Sequence, residues 1–317
     1  MKKITSIRVI LGAMLFLLAI PPAAAPAVQK EIFGLYSGGY RIQRYDVTAN
    51  TFQDCGPVMG GKFITNLAMD NNRRLYYMHP FDGAHDIWQA DLDGSNQLIN
   101  QQLLDTLNFG LDIIDGFTIG PDQNLYMTGY GHSQIYRYVI GSNNQTAATE
   151  VTLVPGAQGT GEFRSDLAFD PLTPYLVGIG IVPDGSGRRS LFQIPVSVAT
   201  NGVNDNYTWE YYGGNSSPWA TIDLGSPTNP TGPLGPNPDG VAFDPITGEL
   251  YLSGDGEKFS LWDRNAATLT NYILDSSGAD TGMGYDLAFQ TTPEPATLFI
   301  LMAAGLPALL KRRRRRS

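Results

Sequence analysis

Asp239-Gly240-Val241-Ala242-Phe243-Asp244-Pro245, followed two residues later by Gly248-Glu249-Leu250-Tyr251-Leu252, is the stretch on which the fold of this chain turns. It reads as a short apolar strand, a turn set by Pro and Gly, and a second strand of alternating apolar and aromatic residues, which suits a pleated, half-buried surface. The phrase recurs. Leu67-Ala68-Met69-Asp70, Phe117-Thr118-Ile119-Gly120, Leu167-Ala168-Phe169-Asp170 and Leu287-Ala288-Phe289-Gln290 are versions of its core, with third positions 50, 50, 74 and 46 residues apart. A period near 50 is that of a propeller blade.

Each copy but the last is followed by a turn and an aromatic second strand: Leu75-Tyr76-Tyr77-Met78, Leu125-Tyr126-Met127, Tyr175-Leu176-Val177 and Leu250-Tyr251-Leu252. A third strand recurs at Ile87-Trp88, Ile135-Tyr136, Leu191-Phe192 and Leu261-Trp262, and fourth strands such as Asn206 to Tyr212 are weaker. The last copy has nothing after it, and the missing strands stand at the start, at Ile32 to Ser37, Tyr40 to Asp46 and Thr51 to Asp54. The chain is therefore expected to be an all-β, five-bladed β-propeller, its ring closed by the strand near Tyr285 to Gln290 pairing with the N-terminal strands. A β-sandwich with an accidental repeat is the structural rival, disfavoured because four copies keep one internal strand order. The phrase resembles blades of the NHL, YWTD and gluconolactonase-like propellers, a resemblance that describes how a blade is built and says little of function.

The two ends carry a different signal. Lys2, Lys3 and Arg8 precede an apolar run from Val9 to Ile20, and Ala25-Pro26-Ala27 is a small-x-small cleavage site, so residues 1–27 read as a signal peptide with the mature chain starting near Val28. At the other end Pro293-Glu294-Pro295 leads into an uncharged stretch, 296–310, and then Lys311, Arg312, Arg313, Arg314, Arg315 and Arg316. Fifteen residues are short for a stable span, and the basic cluster marks the cytoplasmic side. This tripartite tail, residues 291–317, resembles the PEP-CTERM sorting signal of Gram-negative bacteria, read by the membrane protease exosortase. The resemblance implies export by signal peptidase, a transient anchor in the inner membrane, and exosortase processing to the cell surface or beyond. An ordinary tail anchor explains the arginines equally well but not Pro293-Glu294-Pro295.

Between the ends, 28–290, lie roughly 265 residues, enough for one large all-β domain. Of 21 basic residues three lie in the leader and six in the tail, so the body carries 12 against 29 acidic residues, a formal charge of −17. Such a body repels nucleic acid and anionic lipid and favours cations or neutral ligands. Cys55 is the lone cysteine, so no internal disulfide forms, and without a neighbouring His it reads as a small buried residue and not a nucleophile.

Candidate sites follow from the repeat. In the propellers it resembles, the phrase is the innermost strand, which would place Asn66, Asp115, Asp166, Asp239 and Asp286 at one mouth of the central channel. Five such side chains could hold Ca²⁺ or hydrogen-bond a sugar; no cofactor is required by this reading, and the alternative is that each caps its own strand entry. The 74-residue interval contains a Gly-, Pro- and Ser-rich insertion from Gly213 to Pro238, expected to overhang the same mouth with Trp219 as a sugar-stacking platform or as a residue tucked against a blade. His79, His85 and His132 lack zinc spacing, and neither a nucleophile elbow nor a phosphate loop occurs. The leading expectation is a non-enzymatic surface or matrix protein, with polysaccharide or surface proteins as partners. The alternative is a channel-sited hydrolase, a glycoside hydrolase or a gluconolactonase-like enzyme.

Overall fold

The computed structural model describes residues 29–36, 39–59, 63–79, 85–107, 114–129, 134–141, 149–152, 163–182, 184–197, 210–254, 258–274, 283 and 287–292. The expected signal peptide, the Pro293-Glu294-Pro295 motif, the 296–310 stretch and the basic cluster lie outside them. Among the described residues no helix is long and apolar enough to cross a membrane.

Among the described residues the chain forms five four-stranded sheets, the blades of a five-bladed β-propeller. Blade 1 pairs strands in the order β20-β1-β2-β3, from β1 (Gln29–Tyr36), β2 (Arg41–Asp46), β3 (Thr51–Pro57) and β20 (Leu287–Thr292). Blade 2 holds β4 (Asn66–Met69), β5 (Leu75–His79), β6 (His85–Leu92) and β7 (Leu98–Leu107), in chain order. Blade 3 is β8 (Ile114–Ile119), β9 (Leu125–Gly129), β10 (Gln134–Tyr138) and β11 (Thr149–Thr152). Blade 4 is β12 (Phe163–Phe169), β13 (Tyr175–Ile181), β14 (Arg189–Pro195) and β15 (Glu210–Tyr211), and blade 5 is β16 (Pro238–Phe243), β17 (Leu250–Gly254), β18 (Lys258–Asp263) and β19 (Thr268–Ile273). The last strand of the chain thus lies beside the first, which closes the ring and removes the open edges of an incomplete blade. It runs two residues past Gln290 and ends beside Pro293, a residue with no N–H to give a ladder.

Period-two alternation builds the core. Side chains on one face of a blade pack against one neighbour and those on the other face against the other. Phe33 and Leu35 join Leu67, Met69, Leu75 and Tyr77 between blades 1 and 2, whereas Ile32 joins Ala242, Tyr251 and Phe259 between blades 5 and 1. Ala68, Tyr76 and Met78 turn the other way, to Phe117, Leu125 and Met127 of blade 3. Both faces of each second strand are therefore buried, which is why these strands read as aromatic and apolar throughout.

The turns between the first and second strands explain the conserved form of the phrase within this chain. The Oδ1 of Asp70, Asp170 and Asp244 accepts the backbone N–H of Asn72, Leu172 and Ile246, at 2.8, 2.9 and 2.8 Å. A short acidic side chain in that place closes the turn on itself. Gly248 closes the blade 5 turn with φ +69, and a Cβ there would meet Leu172 of blade 4 at 2.4 Å, so both conformation and close approach require glycine.

Charged residues at this rim join neighbouring blades. Arg73 Nη2 of blade 2 lies 2.8 Å from Glu31 Oε2 of blade 1, and Glu31 is 1 % exposed. Lys30 of blade 1 pairs with Asp244 of blade 5, and Arg264 of blade 5 pairs with Asp170 of blade 4. The Tyr138 hydroxyl of blade 3 donates to Asp105 of blade 2 at 3.1 Å.

Candidate functional site

The expected ring of oxygen-bearing side chains resolves into positions with different work. Asp166 is fully buried. Its Oδ1 accepts the N–H of Leu167 at 2.7 Å, and its Oδ2 accepts those of Val241 at 3.0 Å and Leu287 at 3.2 Å. One carboxylate therefore ties the innermost strands of blades 4, 5 and 1. The channel-side edge of an innermost strand has no ladder partner, so its inward N–H groups need another acceptor. Asn66, also fully buried, donates from Nδ2 to the Ile114 carbonyl of blade 3 and to Thr65 Oγ1, both at 2.8 Å.

Asp115 and Asp239 occupy equivalent places on β8 and β16. Pairing of β8 with β9 shifts register between Ile114 and Gly116, and that of β16 with β17 shifts between Pro238 and Gly240, so each aspartate is the extra residue of a bulge. Asp239 is half-buried. Asp286 lies outside the described residues. A calcium ring would need the carboxylates free to turn toward an ion, and Asp166, its deepest described member, has both oxygens committed to backbone. Among the described residues no group of three or more His, Cys, Asp or Glu is placed to hold a metal ion. Cys55 is fully buried, and burial pushes its thiol up to about 12, so the thiolate that nucleophilic chemistry needs is not formed.

The insertion takes a course that the sequence does not show. Its first part, from Tyr212 to Trp219, descends between blades 4 and 5. Trp219 is 1 % exposed; its Nε1 donates to the Arg264 carbonyl at 2.8 Å, and its ring packs near Trp262 and Tyr212 at 5.9 and 6.1 Å. A side chain so enclosed has no open face for a sugar, so the stacking role expected of Trp219 is replaced by a packing one. The second part runs over the mouth-end loops of the same two blades. Leu224 N–H donates to the Arg189 carbonyl at 2.9 Å, and the Tyr272 hydroxyl donates to the Pro233 carbonyl at 2.9 Å. Of the expected outer strand of blade 4, Asn206 to Tyr212, the described part is Glu210–Tyr211, with 198–209 outside the described residues.

Where the insertion descends it leaves a cleft of about 590 Å³, toward the turn rim and away from the channel mouth. One wall is β13 and β14 through Tyr175 and Gln193, another the 212–219 segment, and the third Arg264 and Asn265 of blade 5. Arg264 is held from every side: it pairs with Asp170, donates to the Gly248 carbonyl at 3.2 Å, and its guanidinium carbon lies 5.5 Å from the ring centres of both Tyr212 and Phe243. The Tyr212 hydroxyl donates to Asp170 Oδ2 at 2.7 Å. Burial, and then that hydrogen bond, push the phenol far above its ordinary range, so Tyr212 stays a neutral donor.

Sequence reasoning missed this cleft because it reads repeats, and the cleft lies where the repeat is interrupted. The available signal was the length of the insertion together with Gly213-Gly214, whose φ values are +76 and +95.

No protein-family model and no curated protein matches the sequence. Among solved structures, the chain is similar to a protein from Lactobacillus plantarum, at 14% identity and a TM-score of 0.46, over 83% of this chain and 100% of that one. It is similar to the PQQ-bound form of aldose sugar dehydrogenase from Streptomyces coelicolor, at 13% identity and a TM-score of 0.43, over 85% and 87% of the two chains. A protein of unknown function from Bacteroides thetaiotaomicron overlaps at 13% identity and a TM-score of 0.48, over 83% and 65%. Likenesses this distant bring no function with them, and the propeller assignment stands on the five sheets themselves.

Proposed function

We propose that this chain is an exported five-bladed propeller that serves as a binding and interaction module at the cell surface or in the extracellular polysaccharide matrix of a Gram-negative bacterium. In this reading signal peptidase removes residues 1–27, the 296–310 stretch parks the chain in the inner membrane, and exosortase cuts near Pro293-Glu294-Pro295. The observation that supports it most is the join between ring and tail. The closing strand ends at Thr292 and the sorting motif follows at once, so every strand of blade 1 lies upstream of the proposed cut. Removing the tail there leaves the ring complete.

The described carboxylates support an interaction role over a hydrolytic one. Asp70, Asp170 and Asp244 close turns, and Asp166 clasps strands. A body of formal charge −17 disfavours nucleic acid and anionic lipid and leaves neutral or cationic partners. Intact-mass measurement on protein from the native host tests the reading. The expected product lacks residues 1–27 and everything after the Pro293-Glu294-Pro295 region; a mature product that retains Lys311 to Arg316 would make the tail a plain anchor.

A further inference from the structure

We infer that the cleft between blades 4 and 5 is a saccharide-binding site that favours amine-bearing sugars and rejects uronates. The inference deepens the interaction-module reading and rests on it for a saccharide-rich setting, while the site itself is argued from the geometry of the cleft. A volume of about 590 Å³ falls within the range of about 300–1,000 Å³ usual for small-molecule sites.

The polar groups of the cleft fall into two sets. Those of the wall are held in place: Gln193 Oε1 accepts the Gly213 N–H at 3.0 Å, Ser217 Oγ donates to the Tyr212 carbonyl at 2.6 Å, and Tyr212 and Arg264 are tied to Asp170. Groups held in this way need not be ordered when a ligand enters, which lowers the cost of binding. The second set is Tyr175, Glu210, Ser216 and Asn265, whose side chains have no hydrogen-bond or ion-pair partner among the described residues. An aromatic ring, a carboxylate, a hydroxyl and an amide around one hollow match what a sugar ring presents. Its C–H face suits the aromatic, and its hydroxyls donate and accept around the edge.

Charge sets the preference. The Arg264 guanidinium is neutralised by Asp170, which leaves Glu210 as the uncompensated charge of the cleft. An ammonium on the ligand pairs with Glu210, whereas a uronate carboxylate confronts it on a body that is already acidic.

The test is calorimetric titration of the full chain, in a non-glycosidic detergent, with tetrasaccharides of glucosamine, glucose and galacturonate. The glucosamine tetramer is expected to bind most tightly, the glucose tetramer more weakly and the galacturonate tetramer not at all. Glu210→Gln should weaken glucosamine binding about tenfold and leave glucose binding unchanged. Tyr175→Ala should weaken both about tenfold. Asn72→Ala, on the blade 2 turn, should change neither. Melting curves separate loss of the site from loss of the fold; should Tyr175→Ala melt early, the exposed Asn265→Ala takes its place and is expected to weaken both ligands. No binding by any tetramer, binding without the amine preference, galacturonate binding as tight as glucosamine, or affinity indifferent to these variants overturns the inference. Such a failure leaves the sorting reading intact, since the mass of the processed product decides that separately.

Discussion

The junction between blades 1 and 2 and the junction between blades 4 and 5 solve one problem in two ways. Adjacent blades splay apart toward the outside, so the inner strands pack directly while the outer ones need something between them. Between blades 1 and 2, side chains suffice. Gln53, Gln97 and Gln101 reach backbone carbonyls of the opposite outer strand or its turn, at Ser95, Asp54 and Pro57, and Glu31 binds Arg44 and Arg73 beneath them. Between blades 4 and 5 the outer strand of blade 4 ends at Tyr211, and the insertion that follows packs Trp219, Leu224 and Leu234 between the blades. Side chains from two regular strands seal a junction along its length. A wedge of irregular backbone seals only what it touches, and the remainder is a cleft.

The most damaging way to break this comparison is to remove the strand that closes the ring to which both junctions belong. Deleting residues 287–292 should leave β1 as an open edge and yield aggregated protein in size-exclusion chromatography, whereas deleting 293–317 should leave the melting temperature unchanged. A soluble, normally melting product of the first deletion would refute closure by β20.

Next in size is the wedge. Trp219→Ala should cost about 3–5 kcal/mol in denaturant unfolding, because it empties a fully enclosed site. A loss below about 0.5 kcal/mol would mean that Trp219 behaves as a surface residue.

The charged junction should yield a different pattern. Glu31→Gln should cost about 3 kcal/mol, because it leaves buried Arg44 with Asp46 as its remaining carboxylate and takes a partner from Arg73, while joint replacement of Glu31 and Arg44 by leucine should cost less than the sum of the two single changes. A double variant that loses as much as the sum of both singles would show that the pair acts independently. Asp166→Asn belongs to the same size class, about 2–4 kcal/mol, because an amide nitrogen cannot accept the N–H groups that the carboxylate now holds. Calcium should not change the melting curve of either form, and a rise on adding calcium that Asp166→Asn abolishes would restore the ring of ligands.

The smallest effect sharpens the comparison at the rim. Burial alone would raise the Asp244 pKa, but hydrogen bonds from Lys30, Thr247 and the N–H groups of Ile246 and Thr247 outweigh it and hold the carboxyl below its usual 3.8. A carboxylate depressed in the folded state contributes stability above 3.8 that fades as the pH falls through the lower, folded value. Lys30→Met should therefore cost about 1 kcal/mol at neutral pH, with the difference from the parent protein shrinking as the solution is acidified below pH 4. A difference that stays constant from pH 7 to pH 2 would assign the effect to packing of the Lys30 stem.

How much of this was legible in the sequence depends on whether a feature repeats. Met69, Ile119, Phe169, Phe243 and Phe289 recur at blade spacing, and period-two burial on both faces leaves a strong trace in residue type. The Asp-Pro turns were legible for the same reason, since Asp170 and Asp244 act through their immediate neighbours. Asp166 was legible as a position and, in the alternative that it caps its own strand entry, as the acceptor of the Leu167 N–H; its clasp on Val241 and Leu287 was not, because they lie 75 and 121 residues away. Trp219 stayed open between a sugar-stacking platform and a residue tucked against a blade, because nothing in a Gly- and Pro-rich stretch says what lies above it, and the structure decides for the second.

The amino-acid sequence by itself determined the number of blades, the strand that closes the ring, the chemistry of the turns and the acidic balance of the body, because each rests on local propensity or on a pattern repeated along the chain. Only the tertiary structure decided which carboxylates are spent on backbone, which ion pairs join one blade to the next, and that the insertion is a wedge with a cleft beside it. Those outcomes depend on groups far apart in the chain meeting where the strands end, and strand periodicity carries no record of such meetings.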